Sequence, residues 1–415
     1  MKPDWKSFRL GNTDVATVTL GQSPPSQTYN QAGEGLPFFQ GKADFGMRFP
    51  KVRMWCSAPL RVAEPGDILI SVRAPVGDVN IAHERCAIGR GLAAIRPHCL
   101  DKEFLYYALL HAKPRIEAQS SGSTFDSINR HTLESLDIPA PANLAEQRQI
   151  ALILNSVQKA IETESAICDK LADLKSATMA KLFREGLRGE PLKQTEIGEI
   201  PESWEVVRLG DLCSRIDYGT SQRCSEEPTA HPVLRIPNII HGMIDTINLK
   251  YAEVGVLTER EIEKLRLVPG DLLFVRTNGN RQYTGRCAVY EGRPAGALFA
   301  SYLIRVRLPS GAVDPFFVQQ YLSEVGREQI TRRANPAADG KFNVDTGILR
   351  DLKIPRPSLS EQQEIVAVLA ALDERRRLAQ RCHASLERLF SSVLNALMTG
   401  AIRVKDLDLA EVSHA

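Results

Sequence analysis

The side chains able to hold a metal ion or a cofactor come in small, isolated groups. His83 and Cys86, with His98 and Cys99 further on, offer imidazole and thiolate ligands, but their spacing matches none of the common structural zinc sites. Packing in a core accounts for them better. Gly89, Gly91 and Ala94 make a nominal G-x-G-x-x-A that runs into Ile95-Arg96-Pro97, whereas a dinucleotide site needs its glycines between a strand and a helix. The remaining chemistry is hydrogen bonding, because Arg, Lys, Asn, Gln, Ser and Thr on loops are the groups that reach base edges and phosphates of a duplex. The segment Thr277-Asn278-Gly279-Asn280-Arg281-Gln282-Tyr283 sets a forked donor among three side-chain amides. Arg332, Arg333, Lys341 and Asn343 form a second polar group, and Ser121-Gly122-Ser123-Thr124-Phe125 a third. Gln40-Gly41-Lys42, Gln22-Ser23 and Arg73, which follows a strand as Arg276 does later, are further candidates. Each also reads as an ordinary solvated turn.

Such residues need a scaffold, and the composition supplies one. The chain has 415 residues, 43% apolar and 25% charged, the balance of a globular protein with room for two or three cores. No apolar run approaches the roughly 20 residues of a membrane span, and the first residues lack the apolar stretch of a secretory signal; a cytoplasmic protein is expected. Eight cysteines stand singly, without a C-x-x-C pair, and are expected to be reduced thiols rather than a disulfide framework. A net charge of +2 permits nucleic acid as a partner without demanding it.

The main organising feature is an internal duplication. W-x-x-x-R-L-G at Trp5 to Gly11 returns at Trp204 to Gly210, P-G-D with its apolar strand at Glu64 to Ala74 returns at Val268 to Asn278, and L-D-I-P at Leu136 to Pro139 returns as L-K-I-P at Leu352 to Pro355. The offset drifts upward through these landmarks, which places insertions in the second copy. From Asn143 to about Met179 it then holds at 215 without a gap. A segment that tolerates no insertion behaves as a measured length.

Both gap-free segments are predicted to be helices. Asn143 and Ser358 are N-cap types, each followed three residues later by a glutamate able to reach back, and Gly186 and Gly400 stand where the helices stop. Ile150, Leu154, Val157, Ile161, Cys168, Leu171, Leu174 and Leu182 recur at three and four in the first, and Ile365, Leu369, Leu372, Leu386, Leu389, Val393 and Leu397 in the second, as in a coiled-coil seam. At about 1.5 Å per residue each helix spans on the order of 60 Å. Two copies of one unit in a chain can adopt a pseudo-two-fold arrangement with antiparallel helices. The seam is interrupted by Glu164, Arg376 and His383, and Glu164 is expected to face Arg376, setting Val157 near His383 and Cys168 near Leu372. The expected organisation is therefore a globular domain over 1–142, a spacer helix over 143–186, a linker over 187–203, a second domain over 204–357, a second helix over 358–400 and a tail over 401–415. Short β-type runs broken by Gly, Pro and Asn make each domain an α+β fold with an irregular sheet.

The duplicated set of W-x-x-x-R-L-G, P-G-D, I-P-x-P, E-Q-R-Q-I or E-Q-Q-E-I, and T-E-I-G-E-I-P-E-S-W between the halves resembles the specificity subunits of type I restriction-modification enzymes. The resemblance covers nearly the whole chain. It implies a subunit without chemistry of its own, whose two target-recognition domains each read one half of a split, asymmetric DNA site while the spacer helices set the spacing. It further implies docking to two methyltransferase subunits, with restriction subunits joining them, and places S-adenosylmethionine, ATP and Mg in those partners. Ser23-Pro24-Pro25-Ser26 is similar to the S-P-P-aromatic motif of adenine methyltransferases, but a serine stands where the stacking ring belongs, which weighs against a combined reading and modifying enzyme. A stand-alone DNA-binding decoy would have no use for the long helices.

Overall fold

The computed structural model describes residues 4–120, 127–240, 242–309, 311–337 and 340–404. Two compact units result, Met1–Ile167 with Ala379–Ala415, and Cys168–Leu378. The boundary runs through the two long helices, Leu144–Glu185 and Leu359–Met398. Each unit thus holds one globular domain, the beginning of one helix and the end of the other.

In the first unit, Trp5–Arg9 pairs antiparallel with Asp137–Pro141, so the strand that opens the domain lies beside the strand that leaves it. A four-stranded antiparallel sheet follows, in the order Ala16–Leu20, Leu92–Pro97, Ile68–Ser71, Val79–Ile81. A second, irregular sheet contains one parallel pair, Phe38 beside Ala87 and Phe39 beside Ile88. The helix Lys102–Ser120 buries Phe104, Leu105 and Leu109 in the core that it shares with the four-stranded sheet, while its Tyr107 bonds Asn155 and Gln158 of the long helix Leu144–Glu185.

The second unit repeats this plan. Glu205–Arg208 pairs with Lys353–Arg356, the four-stranded sheet runs Arg215–Tyr218, Leu303–Arg307, Leu272–Val275, Cys287–Val289, and a parallel pair joins Val233 to Leu298. It carries in addition the helix Glu259–Leu265, has a hairpin of Ile239–Ile240 with Met243–Ile244 and a small three-stranded patch, and divides the span that answers Lys102–Ser120 between the helices Pro315–Ser323 and Arg327–Arg333.

The P-G-D motif earns its repetition structurally. Gly66 and Gly270 take positive φ, 89° and 93°, to close a tight turn. The following aspartate is buried, accepts the amide N–H of Glu64 or Val268 at 2.8 and 2.9 Å, and receives a forked guanidinium. Arg96 bonds Asp67 at 2.7 and 2.7 Å, and Arg307 bonds Asp271 at 2.6 and 2.7 Å. Fork pairing and the turn amide together satisfy a carboxylate that would otherwise be costly to bury.

At the helix starts the structure departs from the expected capping box. Asn143 Oδ1 accepts from Ala145 N–H at 2.9 Å, and Ser358 Oγ from Glu361 N–H at 3.3 Å, but the glutamates turn elsewhere. Glu146 receives Arg403 at 2.8 and 3.0 Å. Glu361, 3% exposed, accepts from Trp204 Nε1 at 3.1 Å and Leu187 N–H at 2.8 Å. The next residue does the joining: Gln147 takes the amide of Asp101 at 2.8 Å and donates to the Pro141 carbonyl at 2.8 Å. Gln362 repeats both bonds, with Asp314 at 2.8 Å and Pro357 at 2.9 Å.

Within each unit the helices run antiparallel, at a register different from the expected one. Lys175 Nζ donates to both oxygens of Asp373 at 2.7 and 2.8 Å in the second unit, and in the first Gln158 and Ile161 share a cavity wall with Glu387, Phe390 and Ser391. Both place the partner about two helical turns from the pairing of Val157 with His383 and Cys168 with Leu372. At the observed register Glu164 is level with Ala384 in the first unit, and Arg376 with Ala172 in the second. His383 instead lies 3.6 Å from Glu387 on its own helix, and Arg376 Nε is buried with no hydrogen-bond partner among the described residues. Ile150, Leu154, Ile161, Leu171, Ile365 and Leu369 are buried, Val157, Leu372 and Leu386 half-buried. Leu174 and Leu389, expected in the seam, are 50% and 48% exposed.

The segment expected to be a bare linker, 187–203, contains the antiparallel hairpin Leu192–Thr195 with Gly198–Pro201. In the tail, Arg403 pairs with Glu146 and Val404 is buried; residues 405–415 lie outside the described residues. Among the described residues no helix is long and apolar enough to cross a membrane.

Replacing Gln362 by Ala strands a buried amide and a buried carbonyl, and should cost about 2–4 kcal/mol in urea unfolding of the second unit. A double-mutant cycle on Lys175→Ala and Asp373→Ala should return a coupling of about 1 kcal/mol; a value near zero contradicts the register.

Candidate nucleic-acid interface

In the second unit the chain leaves the P-G-D strand at Arg276 and forms a three-stranded patch. Thr277 lies opposite Asn343, and Asn343 opposite Asn335 on its other side, while Asn278, Phe342 and Pro336 make the neighbouring row. Directly paired residues present side chains on one face, so Thr277, Asn343 and Asn335 form a polar row. Two amides and a hydroxyl are groups suited to base edges, Asn to adenine above all.

The loop after Asn278 is held in a defined shape. Asn278 Oδ1 accepts from Asn280 N–H at 2.8 Å, and Asn280 Oδ1 from Gln282 N–H at 2.9 Å, two successive Asx turns. Arg281 does not extend outward: it donates to the carbonyls of Arg332 and Ala334 at 3.3 and 3.5 Å and lies 5.4 Å from the Phe342 ring centre. It closes the C-terminal end of the helix Arg327–Arg333, where a cation is favoured. Arg327 holds the loop from below, donating to the carbonyls of Gln282, at 2.9 Å, and Thr284. Burial pulls its guanidinium below the usual arginine range. Exposed Tyr283 carries Arg286 over its ring at 3.8 Å. Arg332 reaches Glu328 at 2.5 Å, Arg333 the Asp351 carbonyl at 3.4 Å, and Lys341 sits in the turn before Phe342, its carbonyl accepting Ala337 N–H at 2.7 Å.

The first unit has the same junction with different side chains. Arg73 bridges Ser127 antiparallel, and Ile128 N–H donates to the Val72 carbonyl at 3.0 Å, as Val344 N–H does to Arg276 at 2.8 Å. The structural counterpart of Arg73 is therefore Thr277, not Arg276, and Ser127 answers Asn343. Arg276 is instead packed 4.7 Å over the ring of Tyr218. Gln40 and Lys42 lie in a turn where Lys42 contacts Asp78 at 3.0 Å and the Gln40 carbonyl closes on Gly91, whose own carbonyl accepts from Val72 N–H at 2.9 Å. Ser123 and Thr124, with the rest of 121–126, lie outside the described residues.

Gly89-Arg90-Gly91 is a tight turn between strands of two different sheets, closed by Leu92 N–H on the Gly89 carbonyl at 3.0 Å, and a Cβ on Gly91 would come within 2.3 Å of the Gln40 carbonyl oxygen. Ser23 Oγ accepts from Arg90 N–H at 3.2 Å, and the carbonyls of Pro24 and Pro25 accept from Tyr29 and Thr28 at 2.7 and 2.7 Å. The expected core packing holds for Cys86, whose thiol burial pushes up to about 12, but not for His83, His98 and Cys99, which are exposed, His98 bonding Thr17 at 2.8 Å. Among the described residues no group of three or more His, Cys, Asp and Glu is placed to hold a metal.

The family model for the type I restriction modification DNA specificity domain matches residues 3–172 and 201–388. The chain belongs to that family. Its two matched segments are the two copies of the duplication. The specificity subunit assigned to the MjaX type I restriction enzyme of Methanocaldococcus jannaschii is 43% identical over 187 residues, 45% of this chain and 44% of that protein. The MjaVIII specificity subunit of the same organism is 28% identical over 74% of this chain and 72% of its own length. A crystal structure of a type I restriction-modification S subunit from M. genitalium is similar in fold, with a TM-score of 0.61 at 18% identity over 94% of this chain and 95% of that one.

Of the sequence candidates in this specificity-family chain, the structure gathers Asn278 and Asn343 into one patch, beside a loop carrying Asn280 and Gln282. Arg281, Arg332 and Arg333 lie along its supporting helix. Asn335, Ser127 and Arg327 escaped the sequence reading. Asn335 follows a helix rather than a P-G-D strand, and only strand pairing reveals its place; aligning Ser127 with Asn343 through the I-P landmarks would have found the former. Arg327→Met should speed hydrogen exchange of amides in 280–285 by about tenfold or more while leaving those of Thr346–Arg350 unchanged.

Proposed function

We propose that this chain is the DNA-reading specificity subunit of a type I restriction-modification complex. Each unit reads one half of a split site, from its junction patch: Arg73 and Ser127 in the first, Thr277, Asn343 and Asn335 in the second. The observation that carries this reading is that one backbone bridge recurs in both units with different side chains on it. A conserved scaffold with altered donors and acceptors is what two different half-sites require. Phosphate contacts from nearby basic residues would add affinity without sequence preference.

The long helices serve as spacer and as dock for two methyltransferase subunits, with restriction subunits joining that core. S-adenosylmethionine, ATP and Mg belong to those partners, and this chain contributes recognition and positioning rather than catalysis. The complex works in the cytoplasm, where the DNA is.

The test co-expresses the chain with its methyltransferase partner in a methylation-free host and maps N6-methyladenine across the genome. A two-part motif present only with both proteins is expected. Asn343→Ala with Asn335→Ala should relax one half of that motif alone, by about 1–3 kcal/mol per base pair read, and Arg73→Ala the other half alone. A motif unchanged by either set rejects the assigned patches; a stable complex without methylation rejects the reading role.

A further inference from the structure

A cavity of about 550 Å³ in the first unit is lined by Trp5, Ala108, His111, Arg115, Ile138 and Met398, among others. The matching place in the second unit is filled by the chain itself. Gln147 and Gln362 hold the amides of Asp101 and Asp314, which aligns the two following helices and sets Ala108 level with Tyr321. The 215-residue offset sets Met398 against Phe183, and the opening motif sets Trp5 against Trp204. In the second unit Phe183 packs against Tyr321 with ring centres 5.3 Å apart and against Phe317 at 5.2 Å, with Trp204 at 6.4 Å from Phe317. Substituting Ala for Tyr and Met for Phe removes two rings and leaves the space.

The polar groups differ in the same direction. Tyr321 Oη accepts from Gln329 Nε2 at 3.3 Å, and Gln329 also bonds the backbone of Lys353 at 2.9 and 3.0 Å. In the first unit Arg115 takes over that backbone contact, donating to the carbonyl of Asp137, the counterpart of Lys353, at 2.8 Å. A fixed, permanently charged donor thus stands on the cavity wall where the second unit has a neutral amide meeting a phenol. Trp204 Nε1 has Glu361 as its partner, whereas Trp5 Nε1 is buried with none among the described residues, and the corresponding Glu146 is bonded by Arg403.

We propose that this cavity binds a small aromatic carboxylate, its ring in the space that Tyr321 and Phe183 fill in the second unit and its carboxylate on Arg115. The volume is in the range of small-molecule sites, with apolar walls and few polar groups to fix orientation. A guanidinium favours a carboxylate over a neutral acceptor. The inference is independent of which DNA is read.

Benzoate titrated into the full chain labelled with ¹⁵N provides the test, read on the indole N–H signals of the three tryptophans, with Trp5→Phe assigning its own. A saturable shift of the Trp5 signal is expected, with a dissociation constant of about 1 mM or below, while the Trp204 signal stays in place. Ala108→Tyr, which restores the second unit's filling, should abolish it, and Arg115→Met, at an exposed position, should weaken it about tenfold. Arg115→Met decides the matter if the tyrosine variant does not fold. No saturable shift, or an unchanged titration in the variants, overturns the site; loss with Ala108→Tyr but not with Arg115→Met overturns the carboxylate assignment.

Discussion

Gln147 and Gln362 fix the direction in which each long helix leaves its domain. Each is buried at the start of its helix, and its two amide atoms hold, at once, the strand that exits the domain and the first amide of the helix covering the sheet. A side chain that bonds two separate elements removes the hinge that an I-P-x-P turn would otherwise offer. The far ends are pinned in the same manner, Leu187 N–H on Glu361 in one unit and Arg403 on Glu146 in the other. The glycines that end the helices, Gly186 and Gly400, have positive φ of 63° and 62°, which turns the chain back so that these contacts form. Each helix is therefore clamped at both ends, and the antiparallel register within each unit follows from the clamps.

On this frame the two domains share what supports them and differ in what they present. The aspartate and arginine behind the P-G-D turn, the glutamine stitch and the pairing of opening and exit strands are the same in both. The junction after the P-G-D strand keeps its backbone bridge and changes its side chains, from Arg73 with Ser127 to Thr277 with Asn343 and Asn335. The second unit spends several further arginines on support: Arg327 under the loop, Arg281 on the helix end, and Arg305, wholly buried, on Asp217 and the carbonyls of Arg266 and Lys264. Burial depresses the affinity of Arg305 for its proton despite the Asp217 pair. The positive charge of these three side chains is thus structural.

The duplication, the two long helices and the α+β class were legible because they rest on repeated motifs and on uninterrupted periodicity. The helix register was not. Apolar residues recurring at three and four are satisfied by several registers a turn or two apart, and the choice is made by particular polar contacts, Lys175 with Asp373 and the end clamps, that a pattern of hydrophobicity does not rank. Glu146 and Glu361 looked like capping-box partners because spacing alone cannot say that Arg403, Leu187 and Trp204 compete for them. The hairpin within 187–203 was hidden by its short strands and lack of an apolar face. Asn278, Asn280, Arg281 and Gln282 were read together as one polar loop, within which the guanidinium of Arg281 is held by carbonyls. A loop arginine and a helix-capping arginine have the same sequence signature.

The central claim, that the helices measure the distance between two independent readers, is tested by lengthening both. Inserting 22 helical residues after Ile167 and after Leu378, where the two units divide, adds about 33 Å, close to one turn of duplex, and so nearly preserves the phase of each reader on the DNA. Methylation mapping of the lengthened protein with the methyltransferase partner proposed for it should show the same two half-motifs separated by about ten more base pairs. An unchanged gap, or half-motifs that themselves change, would contradict the account.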